Sequence, residues 1–246
     1  MERQNNIGTI ANNLLKSITG LPFYTFKSPK IDKPENITHS KWPDHLSDQF
    51  NKPGMRVLEI GSRNVTGANF RHLFSKAEYV GFDYLDGENV DVVGDAHRLP
   101  EYFDEGEKFD LIFSSAVFEH LYMPWIAVEH MVNLLKVEGH IFVETHFSYV
   151  SHERPWNFFQ FSDMGLRVLF NEALGLEVVE CGMSNPITGY FNFNSDPHLR
   201  FKPLKELYCH SEILVKKVKT VENFDWKNVE VARLVGETSY PKPKMK

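Results

Sequence analysis

Reactive side chains are densest in the segment Glu144–Phe161, which reads ETHFSYVSHERPWNFFQF. Two histidines, a glutamate and an arginine fall within nine residues there: His146, His152, Glu153 and Arg154. An imidazole or a carboxylate can remove the proton of a hydroxyl acceptor, whereas a guanidinium and protonated imidazoles can hold an anionic acceptor. We therefore predict that these four residues are catalytic, and we leave the choice between base and anion holder open.

A bound metal ion is the other chemistry that such residues could support. His146, His152 and Glu153 could be imagined as zinc ligands, but their spacing fits no standard ligand set. Cys181 and Cys209 are the only cysteines, and neither belongs to a CxxC pair. The sequence therefore predicts neither a metal site nor a disulfide scaffold.

A glycine loop after an apolar strand supplies the second group of candidate residues. The stretch Met55–Gly67 reads MRVLEIGSRNVTG, and Gly61 directly follows a short run of branched apolar residues. A strand, a glycine loop and a helix in this order place a ligand at the carboxyl end of the strand. The loop lacks the G-x-G-x-x-G and Gly-Lys-Ser/Thr patterns, and Glu59 suits a ligand that carries positive charge. These features disfavour a nicotinamide dehydrogenase.

Acidic residues follow the next two predicted strands. Asp83 lies at the end of the strand Tyr79–Tyr84, 22 residues after Gly61. A carboxylate at this point of an α/β fold can accept hydrogen bonds from two ribose hydroxyls. Asp95 follows a short third strand, and small residues end the central strand Lys108–Ser115.

In this order, these features resemble the class I S-adenosylmethionine-dependent methyltransferases over roughly residues 54–219. The sequence FEHL at 118–121 resembles the fourth motif of the small-molecule members of that family, and SHERPW at 151–156 resembles its type 11 group. The resemblance implies an α/β fold of three layers, with a doubly wound, seven-stranded, Rossmann-like sheet and an antiparallel last strand. It also implies S-adenosylmethionine as the cofactor, bound by Glu59, Gly61, Ser62, Arg63, Asp83, Tyr84, Asp95, Ala96, His97, Ser115, Ala116 and His120.

The resemblance assigns these positions to different parts of the cofactor. Asp83 would hold the ribose hydroxyls, and Asp95 would face the adenine amino group, with Ala96 leaving room for the ring. Ser115 and Ala116 would present their backbone to the methionine part. His97 could stack on the adenine or simply begin a helix.

Methyl transfer is an in-line displacement, so the acceptor lies on the far side of the transferred methyl group. Because the cofactor positions account for the first four strand ends, we expect the fifth, Glu144–His146, to face the acceptor. The leading interpretation, by analogy within the group, is O-methylation of a sugar or a surface-polysaccharide component. The alternatives are methylation of an anionic phosphate or phosphoramidate oxygen, and a non-catalytic protein of the same fold that acts as a binding subunit.

Three segments are predicted along the chain: an accessory or lid segment at 1–53, the methyltransferase domain at 54–220, and a polar tail at 221–246. Apolar spacing predicts a helix at Ile7–Ile18, whereas Leu21–Pro53 shows little periodicity.

Further elements are predicted within the methyltransferase domain. Helical character is expected at 68–74, 125–136 and 162–173. The last two strands are expected at 175–181 and 211–219, joined by a long aromatic connection at 184–210.

The bulk properties limit the classes of partner. The chain has 246 residues, a formal net charge of −6 and a pI of about 6.0. The net negative charge argues against a nucleic-acid partner, because such a partner would favour a basic face. No apolar run is long enough to span a membrane, and the N-terminus does not resemble a signal peptide. We expect a cytoplasmic protein that acts on a small-molecule acceptor, and we leave open whether it is a homodimer.

Overall fold

The computed structural model describes residues 33–238, together with Leu14, Ile31 and Tyr240. The chain divides into a larger unit, residues 33–185 and 208–246, and a smaller unit, residues 1–32 and 186–207. The strands of the described sheet are β1 (Arg56–Ile60), β2 (Glu78–Asp83), β3 (Val92–Val93), β4 (Phe109–Ser115), β5 (Leu135–His146), β6 (Leu176–Tyr190) and β7 (Pro203–Lys217). The α-helices of the larger unit are α1 (Trp42–Phe50), α2 (Pro124–Leu134), α3 (Asp163–Leu169) and α4 (Val231–Val235).

The sheet is seven-stranded, with the order β3-β2-β1-β4-β5-β7-β6. Strands β1 to β5 are parallel, and β7 pairs with β5 in the antiparallel sense. Four of the five residues of β1 are buried, as expected when both faces of a parallel sheet are covered. The predicted fold class, including the antiparallel last strand of the chain, is therefore confirmed. The carboxyl ends of β1 to β5 meet at one edge, where α/β proteins bind ligands.

Alternating side chains of the strands form two apolar clusters, one on each face of the sheet. On β5, Val143 belongs to the cluster that includes α2, whereas Phe142 belongs to the cluster that includes α1. Successive strand residues point to opposite faces. Glu144 and His146 therefore continue the Phe142 face beyond the apolar cluster.

Helix α1 occupies a segment in which the sequence predicted no regular element. Its residues Trp42, Leu46 and Phe50 are buried at helical spacing, and the Trp42 ring packs 4.9 Å from the Phe142 ring. The Pro, Lys and Asp residues of the surrounding segment obscure this three-residue apolar stripe. The division of the chain at residue 53 stays a prediction.

Two predicted helices are shorter than expected. The segment 68–74 contains only the 3₁₀ turn Arg71–Phe74, and the segment 162–173 contains α3 followed by the separate 3₁₀ turn Glu172–Leu174. The Asn171 side chain accepts a hydrogen bond from Ala173 N at 2.9 Å, and Asn69 does the same for Arg71 N at 3.1 Å. Such local bonds compete with helical hydrogen bonding and begin new turns.

The last two strands are longer than predicted. The expected connection at 184–210 is largely occupied by the extensions of β6 to Tyr190 and of β7 from Pro203. Hydrogen bonds between β6 and β7 keep this part of the chain extended, although its Asn, Pro and Gly residues favour a loop. Within the smaller unit, Phe191 N donates to Lys202 O at 3.1 Å and closes the turn between the strands.

The predicted helix Ile7–Ile18 lies outside the described residues, apart from Leu14, which is helical. Among the helices that can be described, none has the length and apolar character needed to cross a membrane.

Candidate active site

The loop after β1 packs directly against the loop after β4. Gly61 has a φ of +87°, and a Cβ atom there would lie 2.1 Å from Val117 Cγ2. Backbone conformation and contact with Val117 therefore both require glycine at this position. The amides of Gly61 and Ser62 donate to Phe82 O at 2.8 and 3.1 Å, which ties the loop to the end of β2.

Glu59 lies inside the strand end, below this loop. The residue is 4% exposed, and its Oε2 atom is 3.5 Å from Asn89 Nδ2. Burial raises the pKa of Glu59 to about 8, against the smaller lowering effects of Asn89 and Arg71. The carboxyl group is therefore mostly protonated near neutral pH, and its predicted contact with the cofactor stays a prediction.

Asp83 ends β2 and accepts hydrogen bonds from the neighbouring loops. Its carboxylate accepts from Arg63 N at 3.2 Å and from Leu85 N at 3.0 Å, and Arg63 Nε lies 3.4 Å from Oδ1. The adjacent Tyr84 is 63% exposed. The structure thus places Asp83, Arg63 and Tyr84 together at the end of β2, beside the Gly61 loop.

Asp95 follows β3 and is oriented by His97. Its Oδ1 atom accepts from His97 N at 2.9 Å and from His97 Nδ1 at 2.6 Å. Burial raises the pKa of Asp95, but the two hydrogen bonds from His97 and the charge of Arg98 outweigh it, and the pKa is lowered. His97 Nε2 accepts from Met123 N at 3.2 Å, so both ring nitrogens are bonded and the ring carries its proton on Nδ1. The buried Ala96 lies between these two residues.

The residues after β4 are hydrogen-bonded to the end of β5. Ser115 Oγ donates to Glu144 Oε1 at 3.0 Å, and Ala116 N donates to the Glu144 carbonyl oxygen at 3.0 Å. Ala116 has a φ of +54°, which turns the chain sharply after the strand. The predicted contacts to the methionine part of the cofactor therefore adjoin the predicted acceptor side.

Five imidazoles form a continuous array over these strand ends, and we call them the histidine cluster: His39, His120, His146, His152 and His210. The rings of His39 and His210 stack at 4.1 Å, and His210 lies 5.7 Å from His146. His152 makes edge contacts with His146 at 5.6 Å and with His120 at 4.8 Å.

Strand register explains why distant histidines meet. His146 of β5 lies directly opposite His210 of β7, and Glu144 lies opposite Glu212. Because residues two apart share a face, two imidazoles and two carboxyl groups form adjacent rows on one side of the sheet. Both glutamates are buried, and burial raises the pKa of Glu212 to about 8, with a smaller contribution from the charge of Glu144.

His39 joins this arrangement from the residues before α1. Its Nδ1 atom lies 2.9 Å from Glu144 Oε2, and its side chain is about half exposed, at 51%. The hydrogen bond to Glu144 raises the pKa of His39, against a smaller lowering by burial. A buried carboxylate on Nδ1 orients the ring and leaves Nε2 as the atom able to accept a proton.

Glu119 is a second buried carboxylate of the site, and it contacts His146. It is fully buried, its Oε2 accepts from Thr145 Oγ1 at 2.7 Å, and its Oε1 lies 2.7 Å from His146 Nδ1. Burial raises the pKa of Glu119, but the contacts with His146 and Thr145 outweigh it, and the pKa is lowered.

The predicted catalytic residues fall into two groups in the structure. His146 and His152 belong to the histidine cluster, whereas Glu153 and Arg154 lie exposed on the loop that follows β5. From the sequence, the strand end Glu144–His146 was expected to face the acceptor. The sequence did not indicate that His39, His210 and Glu212 join this site, or that Glu119 contacts His146. Alternation along the last strand could have placed Glu212 and His210 on one face, but no sequence pattern gave the pairing of that strand with β5.

The comparison with known families agrees with this geometry. The model of a family described as "Methyltransferase domain" matches residues 36–180. The chain belongs to this family, and it is a class I S-adenosylmethionine-dependent methyltransferase, as its sequence predicts. A search of curated proteins found no match.

Of the three solved structures described next, the first two share the fold at low identity. A proposed methyltransferase of Bacillus halodurans C-125 is 14% identical, with a TM-score of 0.51 over 72% of this chain and 99% of that one. The 1,6-didemethyltoxoflavin-N1-methyltransferase of Burkholderia thailandensis, crystallised with S-adenosylhomocysteine, is 12% identical, with a TM-score of 0.50 over 72% and 76%. TehB from Haemophilus influenzae is 18% identical, with a TM-score of 0.45 over 71% of this chain and only 60% of that chain.

Proposed function

We propose that the chain transfers the methyl group of S-adenosylmethionine to a hydroxyl of a small-molecule acceptor, a sugar or a surface-polysaccharide component. The observation that carries this proposal is the histidine cluster with its buried carboxylates, next to the predicted cofactor positions. A hydroxyl must lose its proton as it is methylated, and carboxylate-backed imidazoles are groups that accept protons near neutral pH.

The residues at the strand ends fit the cofactor. Asp83 and Asp95 follow adjacent strands, and ionised carboxylates bind a ribose diol and an adenine amino group well. S-adenosylmethionine supplies a methyl group that its sulfonium already activates, so the chain has to position the acceptor and take its proton. In the proposed arrangement the Ser115–Ala116 backbone holds the methionine part, adjacent to Glu144.

We assign the role of general base to His39. As the acceptor oxygen forms its bond to the methyl carbon, the carbon–sulfur bond breaks and its electron pair goes to sulfur. The hydroxyl proton passes to His39 Nε2, while Glu144 holds the Nδ1 proton and stabilises the imidazolium. In this proposal His146 and His152 line the acceptor site, and Arg154 and Glu153 lie at its entrance.

The pH dependence of the rate tests whether His39 is the general base. The groups that face His39 are Glu144, Glu212 and His210, and the hydrogen bond to Glu144 raises its pKa most. With a hydroxyl acceptor, kcat/KM should therefore rise with pH through a pKa above 6.5, the ordinary value for histidine. Glu144→Gln should move this rise to lower pH, and His39→Ala should lower kcat by roughly 10²–10⁴.

Exposed histidines outside the cluster provide the control. His72→Ala should leave both the rate and its pH dependence unchanged. A His39→Ala enzyme with wild-type kcat, or a Glu144→Gln profile that does not move, would show that His39 is not the base.

The same experiment distinguishes the alternative of an anionic acceptor. A phosphate or phosphoramidate oxygen needs no base, but it is held by protonated imidazoles and by Arg154. In that case kcat/KM would fall as the pH rises and His39 loses its proton, and Arg154→Ala would raise KM. The raised pKa of His39 supports this alternative, because a protonated imidazole can bind an anionic acceptor.

A further inference from the structure

Glu119 and His146 present two buried polar atoms that make no hydrogen bond within the described part of the chain. Glu119 Oε1 and His146 Nδ1 are 2.7 Å apart, but the angles between them are not those of a hydrogen bond. Glu119 is fully buried and His146 is 9% exposed. Buried polar atoms without a well-formed hydrogen bond cost free energy, so a third group that binds both would stabilise the site.

His152 provides a third donor atom close to this pair. Its ring is nearly perpendicular to the His146 ring, at 88° and 5.6 Å. Its Nδ1 atom lies 3.0 Å from the Val150 carbonyl oxygen, so Nδ1 carries the proton and Nε2 has a lone pair. One possible ligand atom from each of Glu119, His146 and His152 lies within 4.8 Å of the others.

We propose that Glu119, His146 and His152 bind a divalent transition-metal ion. Two imidazoles and a carboxylate are a ligand set of catalytic zinc sites, which keep a fourth position for water or substrate. In that position the ion binds an oxygen of the acceptor and orients the neighbouring hydroxyl for transfer. This role rests on the proposed function, whereas binding of the ion does not.

Other groups in the histidine cluster are less suited to an ion. His39, Glu144 and His210 also lie close together, but the rings of His39 and His210 stack with an angle of 13° between them. One ion cannot lie in the planes of two stacked rings. In addition, Glu144 is already hydrogen-bonded to His39 at 2.9 Å.

The fold brings Glu119 together with His146 and His152, although their spacing in the sequence matches no known metal-binding pattern. Thr145 Oγ1 donates to Glu119 Oε2 at 2.7 Å, which fixes the carboxylate beside the end of β5. Phe158 N donates to the Glu119 carbonyl oxygen at 2.8 Å, which holds the loop of His152 against it. The sequence expectation of no metal rested on the two cysteines and on the spacing of His146, His152 and Glu153. Glu153 is not a ligand in this proposal.

Calorimetric titration with Zn²⁺ tests the site on the full chain, first treated with a chelator and then freed of it. We expect one ion per chain in the absence of S-adenosylmethionine and of any acceptor. His152→Ala and Glu119→Gln should each weaken the affinity at least about tenfold. His72→Ala, a change of an exposed histidine outside the cluster, should bind as the wild type does.

His152 is only partly buried, so His152→Ala keeps the test valid even if Glu119→Gln does not fold. With Co²⁺ in place of Zn²⁺, the visible absorption spectrum should change in His152→Ala, because one imidazole ligand is lost. Absence of a one-to-one binding event, or equal affinity in His152→Ala and wild type, would overturn the metal site. Methyl transfer measured separately keeps the two proposals distinguishable, since transfer without ion binding overturns only the metal site.

Discussion

At the scale of single residues, Asp83 is the carboxylate that we predict to bind the ribose hydroxyls of the cofactor. It already accepts hydrogen bonds from the backbone of two loops, and an ionised carboxylate has further acceptor sites for vicinal hydroxyls. Asp83→Asn should weaken binding of S-adenosylhomocysteine about 10–100-fold, which corresponds to the loss of a charge-assisted hydrogen bond. Calorimetry measures this change directly.

Asp86→Asn is the matched control, because Asp86 is an exposed carboxylate three residues further along. Its affinity should equal that of the wild type. An Asp83→Asn protein that folds and binds S-adenosylhomocysteine with wild-type affinity would remove Asp83 from the cofactor site.

The sequence predicted residues whose role depends on position along one strand, and it missed those that depend on pairing between strands. Asp83 was predicted from its distance to Gly61, whereas Asp95 was predicted from the resemblance to the methyltransferase family. His210 could not be predicted, because a register between β5 and β7 leaves no trace in the spacing of either strand. His39 was hidden for the same reason, since only the fold brings it to Glu144.

At the scale of elements, the loops after β1 and β4 are in such close contact that there is no space for a Cβ atom at Gly61. Gly61→Ala should destabilise the protein, because its Cβ would meet Val117 and its φ is +87°. Gly106 has the same φ of +87° but open space around its Cα, so Gly106→Ala measures the conformational cost alone. We expect Gly61→Ala to lose at least about 1 kcal/mol more than Gly106→Ala in urea unfolding.

The double variant Gly61→Ala/Val117→Ala separates the cost of the contact with Val117 from the cost of the positive φ. Removal of the Val117 Cγ atoms should recover part of the extra loss relative to the single Val117→Ala change. Equal losses for Gly61→Ala and Gly106→Ala would mean that the loops do not press on each other as described.

The doubly wound sheet and its antiparallel last strand were predicted, whereas the lengths of the helices and strands were predicted less well. The apolar runs of β1 and β4 are short and continuous, as buried parallel strands require. The helices were overestimated because Asn69 and Asn171 hydrogen-bond to nearby amides and begin separate turns. Helix α1 was missed because its stripe consists of three residues in a segment rich in charged residues and proline.

At the scale of the whole molecule, Glu59 links stability to pH. Its pKa is about 8 in the folded chain and 4.5 in a model peptide, so the folded state keeps a proton that the unfolded state releases. Its stabilising contribution is therefore complete below about pH 4.5 and is lost as the pH rises towards 8. Glu59→Gln removes this dependence, because the amide does not titrate.

The free energy of unfolding, measured by urea at a series of pH values, tests this linkage. Relative to the wild type, Glu59→Gln should become more stable as the pH rises from about 5 to 8, by up to roughly 1 kcal/mol per pH unit. Glu105→Gln, a change of an exposed carboxylate, should show a constant difference. A constant difference for Glu59→Gln as well would contradict the raised pKa.

A crystal structure with S-adenosylhomocysteine tests the central claim most directly, because it needs no knowledge of the acceptor. We predict the ribose on Asp83, the adenine beside Asp95 and Ala96, and the amino-acid part against Ser115 and Ala116. The sulfur should face the histidine cluster, with His39 and His146 as its nearest titratable neighbours. A sulfur directed away from the cluster, or a ligand bound at another edge of the sheet, would contradict the proposed acceptor site.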